Sequence, residues 1–331
     1  MEKQLTLIID KLINEIGQVQ VLGDDKKVIT DVTADSRVVE NGSLFICLKG
    51  ATVDGHKFLK MAVEKGAVAA LVEDVPEEIP AGVTLLVVPD TRKAMEAVVP
   101  FFFDYPGKNM RMLGITGTNG KTTTTNIIRT VLRNAGYKVG LIGTINIMIE
   151  DEAVEAHNTT PDVVDLQKAL FAMKNAGCDY VVMEVSSHAL VLNRVAGCEY
   201  DCAVLSNITQ DHLDFHKTLE NYRDAKSLLF EGLANGAKEN KNAVFNMDDA
   251  SSEIIKARTK VNCLTYGKEH TNDIYPISFN VQAKEMQLKL ATPVGEMDLN
   301  LKITGEFNVY NVMSAVACLL AEKIDKEIIC D

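Results

Sequence analysis

The stretch Gly114-Ile115-Thr116-Gly117-Thr118-Asn119-Gly120-Lys121-Thr122-Thr123 decides the fold. It follows the apolar run Met112–Ile115, and it opens a segment in which Ile127, Ile128, Val131 and Leu132 recur at helical spacing until Gly136. Strand, glycine-rich turn, Gly-Lys-Thr and helix in that order form a phosphate-binding layout. Glycines let backbone N–H groups face an anion, the helix N-terminus adds partial positive charge, and a lysine and a hydroxyl complete the cradle. The spacing departs from the common GxxxxGK[ST] pattern, because Ile115 stands where the first glycine would fall. The competing reading is a strand-to-helix turn that binds nothing.

Outward from this loop the chain has a βα rhythm. Strand-like runs at Lys138–Ile142, Tyr180–Val185, Asp201–Leu205, Ala243–Phe245 and Val261–Thr265 mostly alternate with helical patterns. This predicts a mainly parallel sheet covered on both faces. Residues 276–304 change to period two, with a hairpin signal at Thr292-Pro293-Val294-Gly295, and a helix is expected near Val309–Lys323. Upstream, an amphipathic helix carries Leu5, Ile8, Ile9, Leu12, Ile13 and Ile16; compact apolar runs at Val68–Val72 and Val83–Val88 read as strands, and His56–Lys65 and Thr91–Phe103 as helices. Turn chemistry at Asp104–Asn109 marks the boundary between a first domain, 1–107, and a second, 108–331.

Composition narrows the class. The 331 residues are 47% hydrophobic and 24% charged, which excludes disorder and small disulfide scaffolds. No apolar run approaches the roughly 20 residues of a membrane span, and the N-terminus lacks the pattern of a signal peptide. The formal net charge of −12 makes nucleic acid and anionic membranes poor partners. An anionic ligand would need local devices and metal ions. Seven cysteines without a CxxC pair suggest free thiols in a reducing cytoplasm.

Ligands of a doubly wound sheet bind outside the carboxyl ends of its strands. Four strands here run into polar groups: the phosphate loop, Gly143-Thr144, Glu184 with Ser186-Ser187-His188, and Ser206-Asn207 with Asp211-His212-Leu213-Asp214. Glu184 is either a Mg²⁺ carboxylate or a solvated strand cap. His212 and His216 have two-histidine zinc spacing, but Leu213 stands where glutamate is needed, so His212 beside Asp211 reads better as a single ligand. Lys226 falls inside the stripe of Tyr222, Ala225, Leu229 and Leu233, with Arg223, Asp224, Ser227 and Glu231 opposite. It either snorkels or is a buried amine of lowered pKa, able to take up CO₂ as an anionic carbamate. Asn158-Thr159-Thr160-Pro161 and Asp35-Ser36-Arg37 are turn motifs that suit a hydroxyl-rich anion.

Together the motifs resemble the Mur ligases of peptidoglycan synthesis. The matching stretches are TGTNGKTT at 116–123, NTTP at 158–161, EVSSHAL at 184–190, DHLDFH at 211–216, YRDAKSLLF at 222–230 and GEFNVYN at 305–311, with DSR at 35–37, GSLF at 42–45 and Asp54-Gly55-His56 in the first domain. The closest branch is the one that extends UDP-N-acetylmuramoyl-dipeptide; TGTNGKTT alone would also fit folylpolyglutamate-type ligases. The resemblance implies an α/β fold, with an N-terminal α/β UDP-binding domain and a P-loop, mainly parallel-sheet ATPase domain carrying a small antiparallel region. It implies that Gly117, Thr118, Asn119, Gly120, Lys121, Thr122 and Thr123 bind ATP. Ser36 would contact uridine, and Asn158, Thr159, Thr160, Ser186 and Arg194 would hold the muramoyl-peptide. Thr122, Glu184, His212 and a carbamylated Lys226 would serve Mg²⁺, and Asn308 and Asn311 would approach adenine. Lys121, Lys226, His212 and Glu184 form the implied catalytic set.

The implied reaction joins UDP-MurNAc-L-Ala-D-Glu to a diamino acid, meso-diaminopimelate or L-lysine, through an acyl phosphate, in a cytoplasmic protein expected to be a monomer. Leu192 stands where some relatives carry a substrate-binding glutamine. Relatives also continue into a third domain after the GEFNVYN helix, so a binding-only fragment is one alternative. A GTPase switch is another, although no NKxD-type motif supports it.

Overall fold

The computed structural model describes all residues except 51–52 and 156–157. The chain divides into two compact units. The first comprises Met1–Pro106 with the returning segments Asp162–Phe171 and Asn193–Gly197; the second comprises Gly107–Pro161, Ala172–Leu192 and Cys198–Asp331. The two returning segments have no counterpart in the linear boundary read from the sequence.

The first unit is built on five strands, β1 (Gln20–Leu22), β2 (Asp31–Thr33), β3 (Ser43–Ile46), β4 (Ala67–Val72) and β5 (Thr84–Val87), in the order β1-β5-β4-β3-β2. All pairs are parallel except β1 with β5. Helix α1 (Leu5–Ile16) buries Leu5, Ile8, Ile9 and Leu12, the predicted stripe, in a core shared with α3 (Thr91–Phe102). Asp90 caps α3 by accepting from the amides of Arg92 and Lys93, which satisfies two N–H groups the helix cannot pair internally. The helix α2 is short, Leu59–Glu64, preceded by a 3₁₀ turn over Gly55–Phe58.

The second unit carries an eight-stranded sheet. Its strands are β6 (Arg111–Thr116), β7 (Val139–Ile142), β8 (Asn146–Ile149), β9 (Glu152–Glu155), β10 (Tyr180–Glu184), β11 (Cys202–Leu205), β12 (Asn242–Asn246) and β13 (Asn262–Tyr266), in the order β9-β8-β7-β10-β6-β11-β12-β13. Six strands are parallel, and β8 and β9 add an antiparallel hairpin at one edge. The apolar runs of the sequence are the six parallel strands, because strands buried on both faces read as continuous hydrophobic stretches. The hairpin escapes that reading: β8 is only half-buried and its sequence gives no clean alternation. A separate antiparallel sheet, β14 (Tyr275–Val281), β15 (Met286–Ala291) and β16 (Met297–Leu301), accounts for the period-two segment.

Helices α4 (Lys121–Asn134) and α10 (Phe307–Ala321) pack on this sheet through Ile128, Leu132, Val312, Val316 and Leu319. Thr124 and Ser314 share a buried hydrogen bond of 3.0 Å between the two helices. Among the described residues no helix is long and apolar enough to cross a membrane, and all seven cysteines are free.

At the end of the sheet away from the phosphate loop lies a buried ion network. Arg111 contacts Asp201 at 3.0 Å and Glu322 at 2.8 Å, and Lys238 contacts Asp201 at 2.7 Å. Burial pushes the Glu322 carboxyl up, opposed by Arg111. Removing one partner of such a pair strands the other charge without solvent. Arg111→Ala is therefore expected to destabilise the fold by about 3 kcal/mol in urea unfolding, and adding Glu322→Gln should recover part of the loss.

Candidate functional site

The phosphate loop leaves the central strand β6 and enters α4 without a side-chain cap. Its glycines answer two different demands. Gly114 lies in the strand, and a Cβ there would sit 2.9 Å from the Tyr200 ring, so it serves packing. Gly117 has φ +143°, and a Cβ would fall 1.9 Å from Ser206 Oγ; Gly120 has φ +89°, and its Cβ would fall 2.1 Å from Asn311 Oδ1. Conformation and close approach both demand glycine at the last two positions.

Not every loop amide faces outward. The Thr118 amide donates to the Asn207 carbonyl at 2.8 Å, and the Asn119 amide donates to Asn207 Oδ1 at 3.0 Å. Asn207, which the sequence shows only as one polar residue at a strand end, is the brace of the loop. Ser206 supports it by donating to the Asn119 carbonyl at 2.7 Å.

Two lysines converge on this loop. Lys121 Nζ donates to the Gly117 and Thr118 carbonyls, each at 2.9 Å. Lys226 Nζ donates to the same Gly117 carbonyl at 2.8 Å and lies 4.5 Å from the centre of the Tyr222 ring. Lys226 is 1% exposed, which decides against the snorkelling alternative. Burial, reinforced by the charge of Lys121, holds its amine well below the ordinary lysine range, with Asp211 pulling the other way. Lys121 is also lowered by burial, opposed by Glu184 and Asp211. The helix α8 (Leu219–Leu233) that carries Lys226 buries Tyr222, Ala225, Leu229 and Leu233 as expected. Ser227, expected on the opposite face, is buried as well: its hydroxyl donates to the Asp224 carbonyl at 2.8 Å and pairs with Glu231 at 2.9 Å, while Leu228 is exposed.

Glu184 is 1% exposed, so it is not a solvated cap. Thr122 Oγ1 donates to it at 2.9 Å, the Thr144 amide at 3.1 Å and Thr144 Oγ1 at 3.0 Å. Thr144 Oγ1 also bonds Thr159 Oγ1 at 3.1 Å. Thr160 Oγ1 donates to the Glu184 carbonyl and accepts from the Ser186 amide, both at 3.0 Å. One hydrogen-bonded group thus unites Thr122, Thr144, Thr159, Thr160, Glu184 and Ser186. Asn158 is exposed beside it, and the Ser186 hydroxyl caps α6 (Ser187–Val191) by accepting from the Ala189 amide.

His212 occupies a left-handed conformation, φ +51°, with its ring nitrogen 3.6 Å from Asp211 and its side chain half exposed. His216 is buried instead, bonded to Ser187 Oγ at 2.9 Å and packed against Tyr222. Burial lowers its pKa, and the nearby His188 and Lys226 add to the effect. Among the described residues, no three His, Cys, Asp or Glu side chains gather as a metal cluster. The oxygen set around Glu184 nevertheless suits a hard cation, because carboxylate and hydroxyl oxygens are what Mg²⁺ prefers.

Beside the loop, a pocket of about 280 Å³ is lined by Asn119, Gly120, Asn207, Asp248, Tyr310 and Asn311 among others. Asn311 Nδ2 donates to Asn308 Oδ1 at 2.8 Å, so the two asparagines act as one unit. Phe307, 70% exposed, also lines this pocket. Ser36 and Arg194 belong to the first unit, where Ser36 is buried in the turn after β2 and Asp35 pairs with the exposed Arg37 at 2.7 Å.

Residues 115–319 match the Mur ligase middle domain, and residues 28–102 match the catalytic domain of the Mur ligase family. The chain belongs to the Mur ligase family. It is similar to the UDP-N-acetylmuramoyl-L-alanyl-D-glutamate–2,6-diaminopimelate ligase of Bacillus cereus, 43% identical over 320 residues that cover 96% of this chain and 65% of that protein. The ligase of the same name from Geobacillus thermodenitrificans is 46% identical over 295 residues, covering 88% and 60%. A solved structure of a ligase of this name superposes with a TM-score of 0.82 at 27% identity, over 100% of this chain and 66% of that one. The chain thus spans about 60–65% of the length of the curated relatives it matches.

The loop packing yields a test. Gly120→Ala and Gly117→Ala are each expected to weaken binding of a fluorescent ATP analogue by about tenfold or more, since strain of this kind costs about 1–3 kcal/mol. The melting temperature should fall only modestly; unchanged affinity in both variants would show that the two close approaches do not shape the cradle.

Proposed function

We propose that this chain carries the nucleotide- and UDP-sugar-binding part of an ADP-forming ligase that joins 2,6-diaminopimelate to UDP-N-acetylmuramoyl-L-alanyl-D-glutamate. The observation that carries the reading is the convergence of Lys121, Lys226, Thr122 and Glu184 at the end of the central strands. The names of the relatives support the substrates and favour diaminopimelate over lysine.

In this reading the substrate carboxylate attacks the γ-phosphorus of ATP. An acyl O–P bond forms and the bond to the ADP oxygen breaks. The amine of the diamino acid then attacks the acyl carbon and phosphate leaves. Little covalent work falls to the protein; positioning and charge stabilisation supply the rate. Lys121, once drawn from the Gly117 and Thr118 carbonyls to the β- and γ-phosphates, neutralises charge as it builds. Gly117–Thr123 hold the triphosphate, and the pocket lined by Asn311, which Asn308 orients, takes the adenine. Thr159, Thr160 and Ser186, with Asn158, Ser36 and Arg194, are assigned to the UDP-muramoyl-peptide.

Thr122, Glu184, His212 and a carbamate on Lys226 would hold Mg²⁺, which lowers the repulsion between carboxylate and phosphate when bound. The Thr122–Glu184 contact supports that set, since its donors are hard oxygens already adjacent. Glu184, held by three hydrogen bonds, keeps its orientation without the ion.

The test is release of ADP from ATP in the presence of UDP-MurNAc-L-Ala-D-Glu, Mg²⁺, bicarbonate and diaminopimelate. ADP release that depends on the dipeptide substrate is the expected result. Binding of ATP without any turnover would support the binding-only reading for this chain, and substrate-independent GTP hydrolysis would point to a switch. In the chain that turns over, Lys121→Ala should abolish ADP release. Lys226→Ala should lose at least about a hundredfold in rate, of the order an absent charge-stabilising group costs. Formate or acetate should restore part of the Lys226→Ala activity, and wild-type activity in that variant would remove Lys226 from the mechanism.

A further inference from the structure

We propose that Lys121 has a second task, as the counter-charge that stabilises the carbamate of Lys226 before any nucleotide arrives. The inference rests on the ligase reading above for the carbamate itself, and on geometry for the role of Lys121. Both Nζ atoms donate to one carbonyl oxygen, that of Gly117, at 2.9 and 2.8 Å. Two ammonium groups held so close in a buried site repel each other. The compensating charges are Glu184, which acts on Lys121, and Asp211, which acts on both lysines; neither accepts a hydrogen bond from either lysine among the described contacts. Tyr222 contributes a ring face to Lys226, and His216 lies beyond that ring.

Converting Lys226 to a carbamate reverses the sign of this interaction. The neutral amine nitrogen attacks the carbon of dissolved CO₂; an N–C bond forms, one C=O electron pair moves to oxygen, and a proton leaves the nitrogen for water. The product carries one negative charge beside the positive Lys121, and like-charge repulsion becomes an ion pair in a site where water screens little. The loop lysine is thus a positioning residue for the carbamate as well as a phosphate ligand. It performs the two tasks in succession, because the triphosphate draws it away from Gly117.

The experiment follows ¹³C-labelled bicarbonate on nucleotide-free protein by carbon NMR. A carbamate resonance that vanishes in Lys226→Ala identifies the site. Lys121→Gln should raise the dissolved CO₂ needed for half-saturation by about tenfold or more, while Lys121→Arg, which keeps the charge, should stay within about threefold of wild type. If Lys121→Gln does not fold by circular dichroism, Lys121→Met serves as the neutral variant. Half-saturation at the wild-type CO₂ level in the neutral variant overturns the proposal, as does a wild-type protein with no Lys226-dependent resonance. Substrate-dependent ADP release, measured separately, keeps the two readings apart. A ligase that turns over without a carbamate signal sinks this proposal alone. A charge-dependent signal without turnover sustains the proposal and counts against the ligase activity of this chain.

Discussion

Everything at the candidate site is arranged around one peptide carbonyl. Gly117 turns with a positive φ that few other residues tolerate, and its oxygen accepts from Lys121 and Lys226 together. The first lysine comes from the helix that follows the loop; the second comes from α8, more than a hundred residues later. A single acceptor therefore fixes the distance between two cations that belong to separate elements. The acidic surroundings make this tolerable: Asp211 and Glu184 bear on Lys121, and Asp211 bears on Lys226. For an acidic protein to hold a polyanion, as proposed above, positive charge must be concentrated at one place, because the overall field works against it.

The sheet explains why the parts meet. Strand order β7-β10-β6-β11 places the second and third strands of the rhythm on one side of β6 and the fourth on the other, so the crevice opens at the carboxyl ends. Glu184 pairs in register with Ile115, and Leu205 with Thr116, so three strands end level with the loop. The polar residue after each strand then has only one place to go. Burying Glu184 there costs desolvation, and the three donors from Thr122 and Thr144 offset it.

Much of this was legible in the linear chain, for a physical reason. Parallel strands buried on both faces leave apolar runs, and helices that pack on one side leave stripes, so the βα order and the inward face of Lys226 could be read directly. The burial of Ser227 could not, because a hydroxyl that bonds within its own helix pays little for leaving water. The β8–β9 hairpin was missed because half-exposed edge strands impose no strict pattern. The role of Asn207 was also hidden. A residue that braces a distant loop through its backbone and side-chain oxygens looks like any polar residue after a strand. The returning segments 162–171 and 193–197 depend on tertiary packing that no local pattern encodes.

Helix α10 supplies one wall of the cradle through Asn311, and its Ser314 clasps α4 at Thr124. During synthesis, the loop leaves the ribosome nearly two hundred residues before that wall exists. A ligand that needs this wall therefore cannot template the early folding of this unit. A ligand held between the loop and this wall can stabilise only a chain that has already been translated through α10, which makes such stabilisation a late event in the folding of this unit.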